Sequence, residues 1–444
     1  MDLTRNVQEQ LDTLVKNSED TEKLIINSEF TLYYIKTLVN EVYITENIKK
    51  PYFNSTVNFP MYFPTISSKI DIDSAVNKMY KGHVIAFYNK EIYSVQEAVK
   101  YESRNVGEVQ REASIDGAIE GFVENINVNI NLIRQLYHRP ELIANTLHVG
   151  KKANKKIILL YDSSTANEEV VNNISDKINK ISVPVIQTMQ ELQQYLLKRQ
   201  WLIPKLIVTE RPDRAIRALA YGRVVLFMEG TPEGLIAPVM FHEFFQTMDD
   251  FSLPPLVSLF LLWLRYLGLF ISVAFPGLYV AFTAYNPELF RVQLALSIAG
   301  SRAGVTYPAF IEVIIMLLVM EFLIEASIRL PKTIGATATT VGGLILGQAA
   351  TQANLVSHIM IIIVSVVAIT NFTIPIASMN FSIRIMKYIV LIFASAAGTF
   401  GLLMGLIGFC SYIFSIKCFG IPFFNPIGNF SLSGLQANLR KGEK

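Results

Sequence analysis

The feature that most constrains this chain is a long stretch after Asp250 that carries almost no charge. The charged side chains between Leu256 and Gln436 number only twelve: Arg265, Glu288, Arg291, Arg302, Glu312, Glu321, Glu325, Arg329, Lys332, Arg384, Lys387 and Lys417. A segment that long and that apolar cannot be the core of a soluble domain, so it predicts a helical domain that crosses a membrane several times. The residues before Asp250 have the mixed composition of a soluble protein. The chain is therefore expected to be a soluble region followed by a membrane domain.

The apolar stretch contains five hydrophobic segments, and we expect between four and six spans within a membrane domain of residues 251–425, before a polar tail of residues 426–444. The segments are Leu256–Tyr285, Pro308–Ile328, Thr333–Ala353, Ile359–Ile376 and Tyr388–Ser415. Basic residues at the ends of the second and fourth segments place those ends in the cytoplasm with the N-terminal region. Five full spans would then export the tail, although its own basic residues favour the cytoplasm. The conflict disappears if the third segment is re-entrant or the first is a hairpin at Pro276.

The second segment is unusual because it carries three carboxylates, Glu312, Glu321 and Glu325. On a helix, Glu321 and Glu325 lie about 40° apart on one face, and Glu312 points nearly the opposite way. A carboxylate at membrane depth is costly, so it faces other helices or water and is a candidate for function. The alternative is that all three are neutral or paired groups that only join helices.

The third segment is rich in small and polar residues and holds Gly343 and Gly347 four residues apart. Such spacing lets helices approach closely, so this segment is expected inside a bundle or along a passage. Pro276 and Gly277 interrupt the first segment and are further candidates for bundle packing. Carboxylates that face a passage attract cations. The candidate ion-path residues are Glu321, Glu325, Glu312 and Gln348.

The sequence pattern of the N-terminal half predicts an α/β fold. We predict a polar helical lead-in and connector over residues 1–70, a first α/β subdomain over 71–112, and a second over 113–250 that includes a linking helix. The two subdomains are predicted to be related, because residues 75–95 and 216–236 share the order helix, glycine, strand, turn, strand. Alternating helices and strands predict helices that cover a mixed sheet.

Several functional classes find no support in the sequence. The five histidines are scattered without ligand spacing, and no phosphate-binding loop or nucleophile elbow is present. No basic block interleaved with aromatics indicates nucleic acid. We therefore expect neither an enzyme nor a cofactor. Cys410 and Cys418 are predicted to pack in or near the last hydrophobic segment, and the polar N-terminus predicts no cleaved signal peptide, so the N-terminal half is expected in the cytoplasm.

One specific signature lies at the junction of the two halves. Residues 208–251 resemble the A subunits of GerA-type spore germination receptors. The matching residues are Thr209, Glu210, Arg211, Pro212, Asp213 and Arg214, then Gly222, then Gly230, Thr231 and Pro232. The resemblance continues through the membrane domain and covers roughly residues 113–426, including the Gly347-Gln348 pair.

The chain departs from the family pattern at two places. The helix before the second subdomain reads IDGAIEGFVE, which lacks the two arginines and the proline that the family usually carries there. In the acidic segment, Leu317 and Ile324 stand where the family often has an acidic residue and an arginine. The loss of an arginine next to Glu325 removes one partner, so charge pairing and ion preference are expected to differ here.

The resemblance implies a nutrient-responsive receptor subunit in the inner membrane of a bacterial spore, with its N-terminal domain facing the spore core. It implies a transporter-like B subunit and a lipoprotein C subunit as partners, a homo-oligomeric ring, and a path for cations. Two alternatives stay open from the residues themselves. One is a non-conducting signalling scaffold, and the other, which the large α/β region disfavours, is a secondary transporter.

Overall fold

A computed structural model describes residues 3–100, 112, 121–197 and 202–424, with backbone only for residues 3–6, 73, 332–334, 336, 338 and 339. The chain divides into two compact units. The α/β unit comprises Met1–Gln200, Lys205–Val239 and Cys418–Ile421, and the helical unit comprises Trp201–Pro204, Met240–Lys417 and Pro422–Lys444.

The described elements follow one another in this order. In the α/β unit they are α1 Leu3–Asn17, β1 Thr21–Asn27, β2 Phe30–Ile35, α2 Glu41–Ile44, α3 Lys50–Phe53, α4 Phe59–Ile66, β3 Ser68–Lys69, α5 Ala75–Tyr80, β4 Val84–Tyr88, β5 Glu91–Val95, α6 Ile126–Leu136, β6 Leu142–Val149, β7 Lys155–Asp162, α7 Glu168–Asn179, α8 Met189–Leu196, β8 Ile207–Thr209, α9 Pro212–Ala220, β9 Val224–Met228 and β10 Gly234–Ala237. The later helices are α10 Pro255–Val280, α11 Val292–Arg302, α12 Ala309–Arg329, α13 Lys332–Gln352, α14 His358–Asn371 and α15 Ala377–Ser415, followed by the short strands β11 Lys417–Cys418 and β12 Ile421–Pro422.

The two sheets of the α/β unit have the same topology. Their strand orders are β1-β2-β4-β5-β3 and β6-β7-β9-β10-β8, which are identical once each set is numbered from its own first strand. This confirms two related subdomains followed by a helical region. The prediction of mixed sheets was wrong, because all described strand pairs within both sheets are antiparallel. The repeat is also longer than predicted, because α1 and α6 precede equivalent strands.

The first subdomain begins well before the predicted boundary at Asp71. Strands β1 and β2 lie inside residues 1–70, which we predicted as a helical lead-in and connector. Strand β2 is buried along its whole length, so it lacks the alternation by which a half-buried strand is recognised. The predicted connector contains α3 and α4. The rings of Phe59 and Phe63 in α4 pack against the ring of Phe30 in tilted and edge-to-face arrangements. Residues 113–120 of the predicted linking helix lie outside the described residues.

Apolar helix faces cover the second sheet. Helix α7 begins where the Asn167 side chain accepts a hydrogen bond from Glu169 N, and it buries Val170, Ile174 and Ile178 against the sheet. Each such side chain stabilises the fold by roughly 2 kcal/mol. Cys418 joins this core, and burial raises the pKa of its thiol to about 11.

Five of the six helices of the helical unit match the predicted hydrophobic segments, with α11 as a short addition between the first two. Two apolar stretches, Pro255–Tyr285 and Ala377–Ser415, are long enough to cross a membrane. Helices α12 and α13 form an antiparallel hairpin. A Cβ added at Gly335 would lie 2.8 Å from Ser327 O, and one added at Gly342 would lie 3.2 Å from Leu323.

Helix α15 is two helices folded back on each other, contrary to the single last segment predicted. Ala397 and Gly398 leave helical geometry, with Gly398 at φ 59° and ψ −135°. A Cβ at Gly401 would collide with the carbonyl oxygen of Phe393, and one at Gly405 would lie 3.3 Å from the Cα of Val390. A straight helix would hold residues fifteen positions apart about 22 Å from each other. The halves 377–396 and 399–415 are therefore antiparallel.

The contacts fix the direction of each pass. Tyr279, near the end of α10, meets Glu312 at the start of α12 and Ser357 just before α14. The turn of α15 lies at the same end, where Tyr285 packs against Gly398. Helices α10, α12, α13, α14 and the two halves of α15 thus make six alternating passes. The number of membrane spans stays a prediction, and the described chain enters and leaves the helical unit at the same end.

Candidate functional site

Glu312 lies in a closed hydrogen-bonded network. Its side chain is fully buried, and Oε1 accepts hydrogen bonds from Ser357 N at 2.7 Å and Ser357 Oγ at 2.6 Å. Oε2 accepts from Tyr279 Oη at 3.3 Å and pairs with Arg302 Nε at 3.3 Å. Ser357 also caps α14 through Met360 N. Glu312 therefore joins α10, α11, α12 and the start of α14, and both of its oxygens are occupied.

Glu321 lies between two cations of α15. Its Oε2 accepts from Arg384 Nε at 2.7 Å and from Arg384 Nη2, and Oε1 accepts from Lys387 Nζ at 2.7 Å. Exposed fractions of the side chains are 18% for Glu321, 12% for Arg384 and 2% for Lys387. This cluster holds one negative and two positive charges when all three groups are ionised. Glu321 is thus an interhelical ion-pair partner.

Glu325 and Gln348 are the exposed members of the candidate ion path. Glu325 is 54% exposed and pairs with Arg329 one turn later on α12. Gln348 lies on the exposed surface of α13. The acidic helix therefore carries the buried Glu312, the partly buried Glu321 and the accessible Glu325. Their role as ion-path residues stays a prediction.

The candidate packing residues divide into two groups. Pro276 is buried in α10, and a Cβ added at Gly277 would lie 2.8 Å from Leu402 and 3.2 Å from Ala394. Both halves of α15 therefore pack on this point of α10. By contrast, a Cβ added at Gly343 or Gly347 would meet no atom within 4 Å among the described residues. Within the part of the chain that the structure describes, α13 therefore has room for a close neighbour at Gly343 and Gly347.

The junction signature forms a buried ionic cluster at the start of α9. Arg211 donates from Nε and Nη2 to Asp213 at 3.0 and 2.6 Å, and its backbone N–H donates to Thr209 Oγ1. Arg214 pairs with Glu112 at 3.2 Å. Burial raises the pKa of the Glu112 carboxyl, although the Arg214 charge opposes that effect. A charge in this environment is stable only with its partners, which explains why these residue types occur together.

The remaining signature residues set backbone geometry. Pro212 is the first residue of α9, where the missing N–H costs nothing, and Glu210 O accepts from Phe122 N at 2.8 Å. Gly222, at φ 74°, ends α9, and a Cβ there would collide with the carbonyl of Thr165. Gly230, Thr231 and Pro232 form the turn between β9 and β10, where Thr231 Oγ1 donates to Met228 O. The signature is therefore structural in its contacts.

Sequence reasoning missed two partnerships. In the sequence, Arg384 and Lys387 served only to predict the orientation of the membrane domain, whereas in the structure both donate hydrogen bonds to Glu321. Charged residues within a membrane usually pair with one another, and this rule could have predicted the contact. Arg265 of α10 donates to Phe245 O at 2.8 Å and binds both carboxylate oxygens of Asp250. This bidentate pair holds the segment before α10 onto that helix, and no signal in the sequence gave the pairing.

In the ranges that the structure describes, no three His, Cys, Asp or Glu side chains lie close enough together to bind a metal ion. An open cleft of about 880 Å³ runs along the exposed face of α7, lined by Asn173, Asp176, Lys177 and Tyr195 among others. Its polar lining is the solvated face of an amphipathic helix and does not define a ligand.

Comparison with known proteins identifies close resemblances along the whole chain. The family described as Bacillus/Clostridium GerA spore germination protein matches residues 2–441. Spore germination protein B1 of Bacillus subtilis is 35% identical over 73% of this chain and 68% of its own length. Spore germination protein KA of the same organism is 34% identical, and the match spans 62% of its length. GerLA of Bacillus cereus is 33% identical over 82% of this chain and 74% of its own.

Two further similarities complete the comparison. The Bacillus subtilis protein YfkQ, described as an uncharacterized membrane protein, is 28% identical over 96% of this chain. The solved N-terminal domain of the A subunit of the Bacillus megaterium spore germinant receptor GerK3 is 22% identical, with a TM-score of 0.40, over 53% of this chain and 94% of that domain. The extent of the family match and the identity to B1 and GerLA lead to one conclusion: this chain belongs to the GerA spore germination protein family.

Proposed function

We propose that this protein is a membrane subunit of a nutrient-responsive germination receptor and that it forms or gates a path for cation release. The observation that carries the proposal is the open face of α13. Among the described residues, this helix packs principally on α12, an added Cβ at Gly343 or Gly347 would meet no atom within 4 Å, and Gln348 is exposed. Small residues allow close approach of a second copy, and the polar groups then line the space between copies. Glu325, exposed on the adjoining helix, supplies negative charge there.

The setting of this activity is part of the same proposal. The receptor contains a transporter-like B subunit and a lipoprotein C subunit, and this chain forms a homo-oligomeric ring in the inner membrane of the spore. The α/β unit faces the spore core. Basic residues at the end of α12 and the start of α15 support that orientation, because they favour the cytoplasmic side.

A non-conducting scaffold is the second candidate. The observation that favours it is the complete pairing of Glu312 and Glu321, whose oxygens all bind groups of the same chain. Paired carboxylates join helices without contacting an ion. Of the candidate ion-path residues, Glu325 and Gln348 are exposed, so variants at these two positions distinguish a conducting subunit from a scaffold.

Potassium release from spores tests the choice. Spores carrying Glu325→Gln or Gln348→Leu are exposed to a mixture of amino acids, sugars and nucleosides, and Gln293→Leu on the exposed surface of α11 is the matched control. We expect slower potassium release, or altered potassium-over-sodium preference, in the first two variants only. Normal release in both, with normal protein levels, would exclude the conducting role and favour the scaffold.

A further inference from the structure

Helices α12 and α13 form a closely packed hairpin. Helix α13 packs principally on α12, and Gly335 and Gly342 bring the two backbones together at two levels. Besides apolar contacts of α12 with its neighbours, the hairpin is joined to the other helices by one buried and one partly buried carboxylate of α12. Glu312 joins it to α10 and α14 near one end, and Glu321 joins it to α15 nine residues further along.

The two carboxylates differ in charge balance. Glu312 faces one cation, Arg302, and neutral donors from Ser357 and Tyr279, so its network sums to zero. Glu321 faces both Arg384 and Lys387, which leaves one surplus positive charge. An uncompensated charge in a low-dielectric interior is costly. Separating Glu321 would leave both cations without their partner, including the buried Lys387, so the cluster holds α12 against α15 while all three groups are ionised.

Exposure determines which of the two contacts can separate. Glu312 is completely buried, whereas Glu321 and Arg384 keep exposed fractions of 18% and 12%. Both members of that pair can reach polar surroundings after a small displacement, as long side chains do at the edge of a protein. Departure of Glu312 would leave the buried Ser357 N–H and the Arg302 charge without their carboxylate partner, which makes Glu312 the fixed point.

We propose that Glu321, Arg384 and Lys387 form a charge latch that holds the α12–α13 hairpin against α15 in the resting protein. Release of the latch, with Glu312 as the pivot, moves α13 and opens the path. This inference rests on the proposed function, since the movement regulates that path. Glu321 is accordingly a positioning residue and contacts no ion in the resting state.

Two variants of different severity test the latch. Glu321→Gln removes the carboxylate, so we expect potassium release without nutrient to rise about fivefold or more. Lys387→Met removes one of the two cations and keeps the Glu321–Arg384 pair, so we expect a smaller rise in the same direction. Glu288→Gln, on an exposed loop, is the matched control. Unchanged or slower release without nutrient in Glu321→Gln, or a larger rise in Lys387→Met than in Glu321→Gln, would overturn the latch.

A charge exchange separates the latch from loss of folding. The double variant Glu321→Lys with Lys387→Glu preserves one pair between α12 and α15, so we expect low basal release and normal protein levels to return. A double-mutant cycle on the melting temperature of the full chain in detergent measures the coupling directly. Additive melting shifts for positions 321 and 387 would show that no latch exists.

Deletion of the chain distinguishes the two proposals. If spores that lack it release potassium normally with the nutrient mixture, the proposed function fails, whereas the melting cycle still decides whether Glu321 and Lys387 are coupled. If deletion abolishes release but the cycle shows no coupling, the latch fails and the proposed function stands.

Discussion

At the scale of single residues, Asp162 at the end of β7 has the clearest electrostatic role in the α/β unit. It is buried and accepts hydrogen bonds from Tyr137 Oη at 2.5 Å and from Ser164 N and Oγ at 2.9 and 2.6 Å. Burial alone would raise the pKa of this carboxyl. The hydrogen bonds from Ser164 and Tyr137 outweigh it and hold the pKa of Asp162 below its ordinary value.

This shift predicts how acid acts on the fold. Because the folded pKa of Asp162 lies below the unfolded value, its ionised form contributes stability that is complete above about pH 4 and is lost as the pH falls through the folded pKa. We expect Asp162→Asn to lower the free energy of unfolding by about 2 kcal/mol at neutral pH, and the difference from wild type to shrink below pH 4. Melting of the full chain in detergent from pH 7 to pH 3 measures the difference in stability between the variant and wild type, and Asp176→Asn on the exposed face of α7 is the control. A difference that stays constant to pH 3 would contradict the assignment.

At the scale of elements, the fold-back of α15 makes the sharpest prediction. Gly401→Ala would place a Cβ against the carbonyl oxygen of Phe393, so we expect it to lower stability by at least about 2 kcal/mol. Gly408→Ala meets no atom within 4 Å among the described residues, and alanine favours a helix by about 1 kcal/mol, so we expect no loss. Protein levels and melting temperatures compare the two. In a straight helix both changes would stabilise, so equal effects would exclude the fold-back.

The elements also show what the sequence could and could not predict. The spacing of Glu321 and Glu325 predicts that they share one face of a helix, and the recurrence of helix, glycine and strand predicts the repeat. Both patterns are local in the sequence, so both can be recognised without the structure. The partners of Glu321 lie 63 and 66 residues away, and pairing over that separation leaves no periodic trace. Strand β2 is buried on both faces and therefore looks like any short apolar run. Gly398 is one of several glycines at spacings typical of helix packing, so the sequence does not distinguish it as the residue at which the chain turns.

At the scale of the whole molecule, the number of passes decides at which end of the helical unit α15 finishes. Six alternating passes return the described chain to the end of the helical unit at which it entered. An even number of membrane spans would keep both ends of the domain on one side, as the basic residues of the tail favour. The small-residue segment therefore need not be re-entrant, because the extra reversal occurs within α15.

Cysteine accessibility tests this topology. In a background of Cys410→Ser, we expect a membrane-impermeant maleimide to label Ser252→Cys and Ser433→Cys from one side of the membrane and Glu288→Cys and Asn354→Cys from the other. The physical reason is that Glu288 and Asn354 lie on connections at the end of the unit shared by the α15 turn, whereas Ser252 precedes α10 at the opposite end. Basic residues concentrate at the Ser252 end, so that side is expected to be the cytoplasm. Labelling of Ser252→Cys and Ser433→Cys from opposite sides would restore an odd number of spans, and the fold-back of α15 would then not persist in the membrane.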